Sequence, residues 1–552
     1  MIEITSILCK EIRQMTVAAD GRSPSMQKIT AGPGFNRWLI PPAALGIHMC
    51  IGQVYATSVY RNPLRDHFEG GFLSDLLGAE TSIAVIFSVA IVMLGLSAAL
   101  FGTWVDRNGP RKAILASTAC WVSGFVIGAI GIFTGQLWLV YLGYGFIGGI
   151  GLGIGYIAPV STLMKWFPDR PGLGTGMAIM GFGVGAMIAT PLSSFLMNLY
   201  SGDDDVSGIH VAYLFLTLAA IYCVMMLFAA WIVRVPAPGW KPEGFDPDKQ
   251  KKKSMVSEGN VRVNTAMKTK QFWLLWIILF VNVTAGIGIL EQANNFVQDF
   301  FRGDDGETLW STEAAVAAGA GFVAFTSLTN TLGRFIWAST SDKIGRKPMY
   351  MIYLGLGALL YFTLATWGNL HIALFIVLTG FILSFYGGGF ATIPAYLRDL
   401  FGTLQVGAIH GRLLTAWSCA GIAGPLIVNG VLDAQGGGAG DTATADSYRP
   451  ALYIMVALLV IGFIANMLVN AVDEKHHVES EEQPAEHQDK AAAEQEGASD
   501  RQAQAEQPEE EAEVEPASKP AVPVPVAWIV VAIPILYGLT YQFINGAQLF
   551  TA

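Results

Sequence analysis

The chain of 552 residues is 53% hydrophobic and only 14% charged, with a formal net charge of −10 and a mean hydropathy of +0.46. A soluble globular domain carries about a quarter charged residues, so the composition excludes that class and indicates a polytopic protein of the lipid bilayer. The acid is concentrated in one tail, and the five cysteines stand singly with no CxxC or metal-ligand spacing, so no nucleic-acid partner, disulfide framework, metal or cofactor is expected.

Residues 1–35 are mixed polar and lack the apolar stretch of a cleavable signal peptide, which fits a cytosolic leader. Apolar runs long enough to span follow at about 38–60, 81–105, 113–134, 137–163, 172–200, 209–234, 271–297, 313–340, 349–367, 371–396, 405–432 and 450–472. They predict an all-α integral membrane protein with twelve transmembrane helices. Loops after runs 2, 4, 6, 8 and 10 carry Arg107, Arg111 and Lys112; Lys165 and Arg170; Lys249 and Lys251 to Lys253; Lys343, Arg346 and Lys347; and Arg398. The alternate loops carry Asp203 to Asp205, then Asp304, Asp305 and Glu307, then Asp433, Asp441 and Asp446. Lys/Arg excess marks the cytoplasmic side, so the N-terminus is expected inside.

The polar stretch 235–270 reads as a cytosolic central loop between two six-helix bundles, 36–234 and 271–472. The halves repeat: Asp106-Arg107-Asn108-Gly109 recurs as Asp342-Lys343-Ile344-Gly345 at an offset of 236 residues, and Pro159 in run 4 answers Pro394 in run 10. Such repeats mark transporters in which one half rocks against the other around a central site. Residues 473–525 are rich in Glu, Gln, Ala, Ser and Pro and predict an acidic disordered linker. After it, 526–545 is apolar enough for a thirteenth span that leaves the last residues outside.

In the paired turns, Gly109 and Gly345 permit a tight reversal, while Asp106 and Asp342 are placed to cap a helix or meet a basic partner from the other half. A contact made in only one state biases a two-state equilibrium. Within the apolar runs only His48, Glu291 and Arg334 read as interior ionisable groups. Arg334 lies eight residues before Asp342, about 12 Å from the turn and close to the middle of the bilayer. A central arginine costs roughly 3 kcal/mol or more and is a functional candidate by default. Its first-half counterpart is Ala98, so the fold does not require the charge. A guanidinium matches a carboxylate bidentately and stays charged. His48 reads as a proton carrier or as a neutral interface histidine, and Glu291 as a protonatable gate or as a membrane-edge carboxylate. Tyr55, Tyr156, Tyr386, Phe390 and Trp417 are placed to line a small site, with core packing as the competing reading. The glycines of runs 4 and 5 fit close helix packing, and no P-loop or nucleophile–base arrangement supports ATP-driven transport or hydrolysis.

Gly102-Thr-Trp-Val-Asp106-Arg107-Asn-Gly109-Pro-Arg111-Lys112 and its second copy, with Asp342, Lys343, Gly345 and Arg346, resemble the loop signature of the major facilitator superfamily, where they imply a conformational switch. Asn36-Arg37-Trp38, Tyr60-Arg-Asn-Pro63, Lys165-Trp-Phe-Pro-Asp169-Arg-Pro-Gly172, Arg334 with Ser341-Asp-Lys-Ile-Gly-Arg346, and Asp399-Leu-Phe-Gly-Thr403 resemble the oxalate/formate antiporter family and the related monocarboxylate transporters over about 36–472. The resemblance implies transport of small carboxylates, Arg334 as the anion site, Tyr55 and Tyr156 as pocket aromatics, and a bacterial inner (cell) membrane. Two departures follow from it. A lysine of the oxalate-transporting branch is replaced here by Trp417, and one cation suits a monocarboxylate. Asn330 stands where animal-type monocarboxylate transporters carry an acid, which removes that route of proton coupling. The expected function is secondary transport of formate, acetate, lactate or pyruvate by alternating access with protons. Exchange against a counter-carboxylate, a transporter-like sensor and broad export remain as alternatives. The thirteenth run resembles single-helix small subunits, here fused through the linker.

Overall fold

The structure is a computed structural model that describes residues 29–32, 34–77, 79–237, 239–245, 256–257, 259–302, 312–435, 443–478 and 522–551. Most of the leader, the lysine run of the central loop, Asp304, Asp305, Glu307, Asp441 and most of the acidic linker lie outside the described residues. The fold is helical; among the described residues the only β feature is an isolated bridge from Thr30 to Val235. In chain order the long helices are α1 (Arg37–Thr57), α2 (Ser82–Asn108), α3 (Pro110–Phe133), α4 (Leu137–Trp166), α5 (Pro171–Ser201) and α6 (Gly208–Ile232). The second half holds α7 (Lys270–Phe300), α8 (Thr312–Ile344), α9 (Arg346–Leu370), α10 (Ile372–Phe401), α11 (Val406–Ala434) and α12 (Ala445–Leu468), and α13 (Val524–Thr551) follows. Twelve helices are long and apolar enough to cross a membrane among the described residues. The long helix outside that set is α8, where Ser327, Thr329, Asn330, Thr331 and Arg334 interrupt the apolar face.

The sequence expectations for the spans hold, with local refinements. The first run does not continue as one α-helix: after Gly52 it tightens into 3₁₀ turns over Gln53–Tyr60 and resumes as a short helix at Arg61. Wide π turns interrupt α4 at Tyr141–Ile147 and α9 at Ile352–Leu356. Pro159 and Pro394 both lie inside their helices, α4 and α10. The repeated turns take the expected form: Gly109 (φ 84°) and Gly345 (φ 97°) reverse the chain in the left-handed region immediately before α3 and α9.

Two of the motifs that carried the family resemblance meet in space. Arg37 at the start of α1 pairs with Asp169 of the loop between α4 and α5 at 2.7 Å, and its guanidinium lies 4.7 Å from the centre of the Phe167 ring. The halves join along α5 with α8 and along α2 with α11. The thirteenth helix, longer than the expected 526–545, packs against α8 and also against α5 and α1. Its inner face seats Val531 in a cluster with Leu45, Met49, Val184 and Met187, while Ile529, Ile533, Leu536 and Phe543 remain on the outside. Proline at the second position of α13 is compatible with a helix start, because that N–H has no helical partner.

Candidate functional site

The pieces of the candidate site come from five helices: Tyr55 at the end of α1, Tyr156 of α4, Arg334 of α8, Tyr386 and Phe390 of α10, and Trp417 of α11. The packing brings them together. The Trp417 ring lies 4.7 Å from Phe390, 5.7 Å from Tyr156 and 6.5 Å from Tyr55, with Phe182 of α5 closing the group at 5.6 Å. Arg334 is 1% exposed and its guanidinium carbon lies 5.4 Å from the Phe390 ring centre. Its other contacts are neutral: Nη1 donates to the Ile179 carbonyl at 3.1 Å and Nε to Asn330 Oδ1 at 3.4 Å. Among the described residues no carboxylate pairs with it within 4.0 Å. A structural ion pair for Arg334 thus finds no acid among the described residues. Tyr55 and Tyr386 neighbour each other and the guanidinium. Around the cage, Tyr156 Oη, Trp417 Nε1, Thr331 Oγ1 and Asn282 Oδ1 are buried without a hydrogen-bond partner. Buried polar groups are ordinarily satisfied, so the unmet donors among them, Tyr156 Oη, Trp417 Nε1 and Thr331 Oγ1, beside a lone cation are what a bound carboxylate would complete.

The other interior groups separate. His48 is fully buried in α1; Nδ1 faces the Ala178 carbonyl at 2.5 Å and Nε2 the Tyr156 carbonyl at 3.1 Å. It ties α1 to α4 and α5, and its ring stacks on Tyr156 at 5.2 Å. Glu291 falls on α7, but its side chain lies outside the described residues. The expectation that only three ionisable groups are interior needs correction. His410 of α11 is 1% exposed, its ring 5.8 Å from Tyr156, and its Nε2 has no partner. It lies inside the predicted run 405–432, so the signal was present in the sequence. Asp299 is a second addition, fully buried near the end of α7 with Tyr448 Oη donating to it at 2.8 Å.

At the end of the bundle that carries the basic loops, the repeated aspartates each reach across to the other half. Asp342 accepts from the backbone N–H groups of Gly172 (2.8 Å) and Leu173 (2.9 Å) in the first turn of α5. Asp106 accepts from Ala408 N–H (2.9 Å) in the first turn of α11. Both carboxylates thus sit on a helix N-terminus, where the orphan N–H groups and the helix dipole favour negative charge. Of the two partners expected for the acids, the cross-half one is a helix end. The basic partner of Asp342 comes from its own half: Arg346 donates to it at 2.6 Å and to Asp399 at 3.1 Å. Close backbone approach makes room for both contacts; a Cβ at Gly172 would meet Ala338 O at 2.2 Å, and one at Gly407 would meet Asp106 Oδ1 at 2.6 Å. Gly102 belongs to the same seam, facing Ala408. Arg111 donates instead to the carbonyls of Ala230 and Trp231 at the end of α6. Lys343 is exposed, and so is Arg107 at the end of α2.

A repeated bundle of membrane-spanning helices with a polar, closable centre defines the transporter class. The chain belongs to the major facilitator superfamily, whose profile matches residues 46–328 and 309–552. It is similar to the oxalate:formate antiporter of Oxalobacter formigenes, 27% identical over 391 residues that cover 70% of this chain and 83% of that protein. The apicoplast pyruvate carrier 1 of Toxoplasma gondii is 28% identical over 346 residues, covering 55% of this chain and 61% of that protein. Monocarboxylate transporter 2 of Mus musculus is 22% identical over 384 residues, covering 65% and 71%. Among solved structures, the fucose:proton symporter of E. coli superposes with a TM-score of 0.56 at 14% identity, covering 78% of this chain and 99% of that one. The family resemblance read from the motifs is therefore borne out.

Proposed function

We propose that this chain is a secondary transporter of small monocarboxylates of the formate, acetate, lactate or pyruvate class, working by alternating access with its N-terminus in the cytoplasm. The observation that carries the reading is Arg334: a buried guanidinium with no acid beside it among the described residues, inside an aromatic cage with unmet hydrogen-bond donors. A single permanent cation balances a single carboxylate, and the cage excludes water from the pair. The basic end is the cytoplasmic gate, a reading supported by the contacts that Asp106 and Asp342 make across the halves. Proton symport is the favoured coupling. Exchange is the second reading, favoured by the similarity to an oxalate:formate antiporter. Uptake of labelled formate, acetate, lactate and pyruvate into vesicles tests the assignment, and accumulation driven by an imposed pH gradient separates symport from exchange.

The cage makes a specificity prediction. Trp417→Lys places a second cation against Phe390 and Tyr156, and preference is expected to shift toward dicarboxylates by about tenfold, one charge-assisted contact of roughly 1.5 kcal/mol. An unchanged substrate profile in competition assays rejects the one-cation argument.

The rival sensor reading assigns signalling to the acidic linker and α13. Deletion after Asp473 is expected to leave vesicle uptake within about threefold of the intact chain, since α13 removes only lipid-compatible apolar surface from the bundle and lipid replaces it with little change in apolar environment. Loss of uptake on deletion would instead assign α13 an essential part.

A further inference from the structure

His48 and His410 flank the same tyrosine, yet their surroundings differ. Both nitrogens of His48 face backbone carbonyls, so its ring is held by the scaffold. Nε2 of His410 has no partner although the residue is 1% exposed, and the Tyr156 hydroxyl is equally unmet. Arg334 acts electrostatically on both Tyr156 and His48, and His48 acts in turn on His410. Position adds a second point. His410 lies two residues beyond Ala408, whose N–H is held by Asp106, and seven before Trp417. It therefore occupies the floor of the cage, between the anion site and the closed gate.

We propose that His410 is a second, proton-dependent cation of the same site: with Nε2 protonated alongside the bound anion, the site carries two positive charges and accepts a small dicarboxylate. The proposal rests on the reading of Arg334 as the anion site. With His410 neutral, Arg334 balances one carboxylate. A dianion on Arg334 leaves one negative charge over, and a proton on His410 offsets it; an opposite charge a few ångströms away favours the charged imidazole. The balance is one dianion and one proton against Arg334 and the imidazolium. No bond is made or broken beyond N–H. Linkage makes the effect mutual, so the dianion promotes proton uptake as much as the proton promotes dianion binding.

The titratable and charged groups on the surrounding elements are few. From α1 comes His48, and from α4 Tyr156 and Lys165. Helix α2 contributes Asp106, engaged at Ala408, and Arg107. Helix α10 carries Tyr386, Tyr396, Arg398 and Asp399, the last paired with Arg346. Helix α7 carries Lys270, Glu291 and Asp299, the short helix Val263–Ala266 is preceded by Arg262, and Arg412 follows on the helix of His410 itself. The sole imidazole among them is His48, whose two nitrogens face backbone carbonyls, so that one of them donates in the neutral ring.

The test uses the full chain in proteoliposomes, with labelled formate and oxalate offered from about pH 8 to about pH 6, a range that brackets an ordinary imidazole and leaves both substrates ionised. For the wild type, the ratio of oxalate to formate uptake is expected to rise about tenfold over this range, up to the one-decade-per-unit limit of a single proton. His410→Gln is expected to flatten that ratio, whatever its absolute rate. A second readout needs no variant: one more proton enters with each oxalate than with each formate, counted with a pH dye. An unaltered pH slope in His410→Gln, equal proton counts, or a wild type that carries formate but oxalate at no pH overturns the proposal. Wild-type formate uptake by Arg334→Gln overturns instead the anion site on which it rests.

Discussion

Arg334→Gln is expected to lower uptake of small monocarboxylates by about a hundred- to a thousandfold, with the protein still folded and inserted. The magnitude follows from what the guanidinium holds and what the substitution leaves. In the structure its partners are the Ile179 carbonyl, Asn330 Oδ1 and the face of Phe390. None of these is charged, so removing the cation strands no acid in the bundle among the described residues. A bound carboxylate, by contrast, loses its only counter-charge in a water-excluded cage. Breaking such a buried pair from one side costs about 3–5 kcal/mol, and each 1.4 kcal/mol is about tenfold. Glutamine keeps a hydrogen-bond donor near Ile179, which protects the α5–α8 contact and separates loss of binding from loss of fold. Arg334→Lys is the sharper companion. It keeps the charge but gives up the planar fork, so it should recover part of the uptake with weaker discrimination among carboxylates. Vesicle uptake by purified variants at matched insertion measures both, and equal uptake by wild type and Arg334→Gln rejects the site.

Much of this arrangement is written in local pattern, which explains which parts were readable. Spans follow from apolar length, and the halves from a motif that repeats at one offset. Arg334 was conspicuous because a guanidinium in an apolar run is costly wherever the helix points. His410 was missed because a histidine four residues into α11 is ambiguous until tertiary packing buries it. The docking of α13 was unreadable for another reason: a linker of such length permits many positions, and only the fit of Val531 among Leu45, Met49, Val184 and Met187 selects the groove. The partners of Asp106 and Asp342 occupy an intermediate case. Helix capping was legible from acid and turn, but the capped helix lies about 300 residues further along for Asp106 and 170 residues back for Asp342, distances that no local pattern encodes. For Asp106 the relevant end is that of α11, while a cap on α5 serves Asp342. The repeat therefore predicts two like contacts without naming either acceptor helix.

That difference between the two contacts leads to the second large expectation. Asp342 accepts two backbone N–H groups of α5 and one Arg346 bond, whereas Asp106 is recorded with one cross-half N–H. Each hydrogen bond to a charged group contributes about 1.5–3 kcal/mol when formed in only one of two states, and water recovers part of that in the open state. Asp342→Asn is therefore expected to weaken closure of the basic end by about 2–3 kcal/mol, a roughly 30- to 150-fold shift in the closed-to-open ratio. Asp106→Asn should shift it less. Arg346 keeps Asp399 as a partner at 3.1 Å, so the second-half helices stay joined while their hold on α5 loosens. Spin labels at Arg170→Cys and Lys343→Cys, both exposed and on opposite sides of the Asp342–Gly172 contact, report the gate directly once the native cysteines are replaced. The short-distance population should shrink strongly in Asp342→Asn and moderately in Asp106→Asn, with uptake slowed because the cycle now stalls with the basic end open. Identical distance distributions in all three proteins would mean that the aspartates cap their helices without biasing the switch, and closure would then rest on the close packing at Gly172 and Gly407 alone.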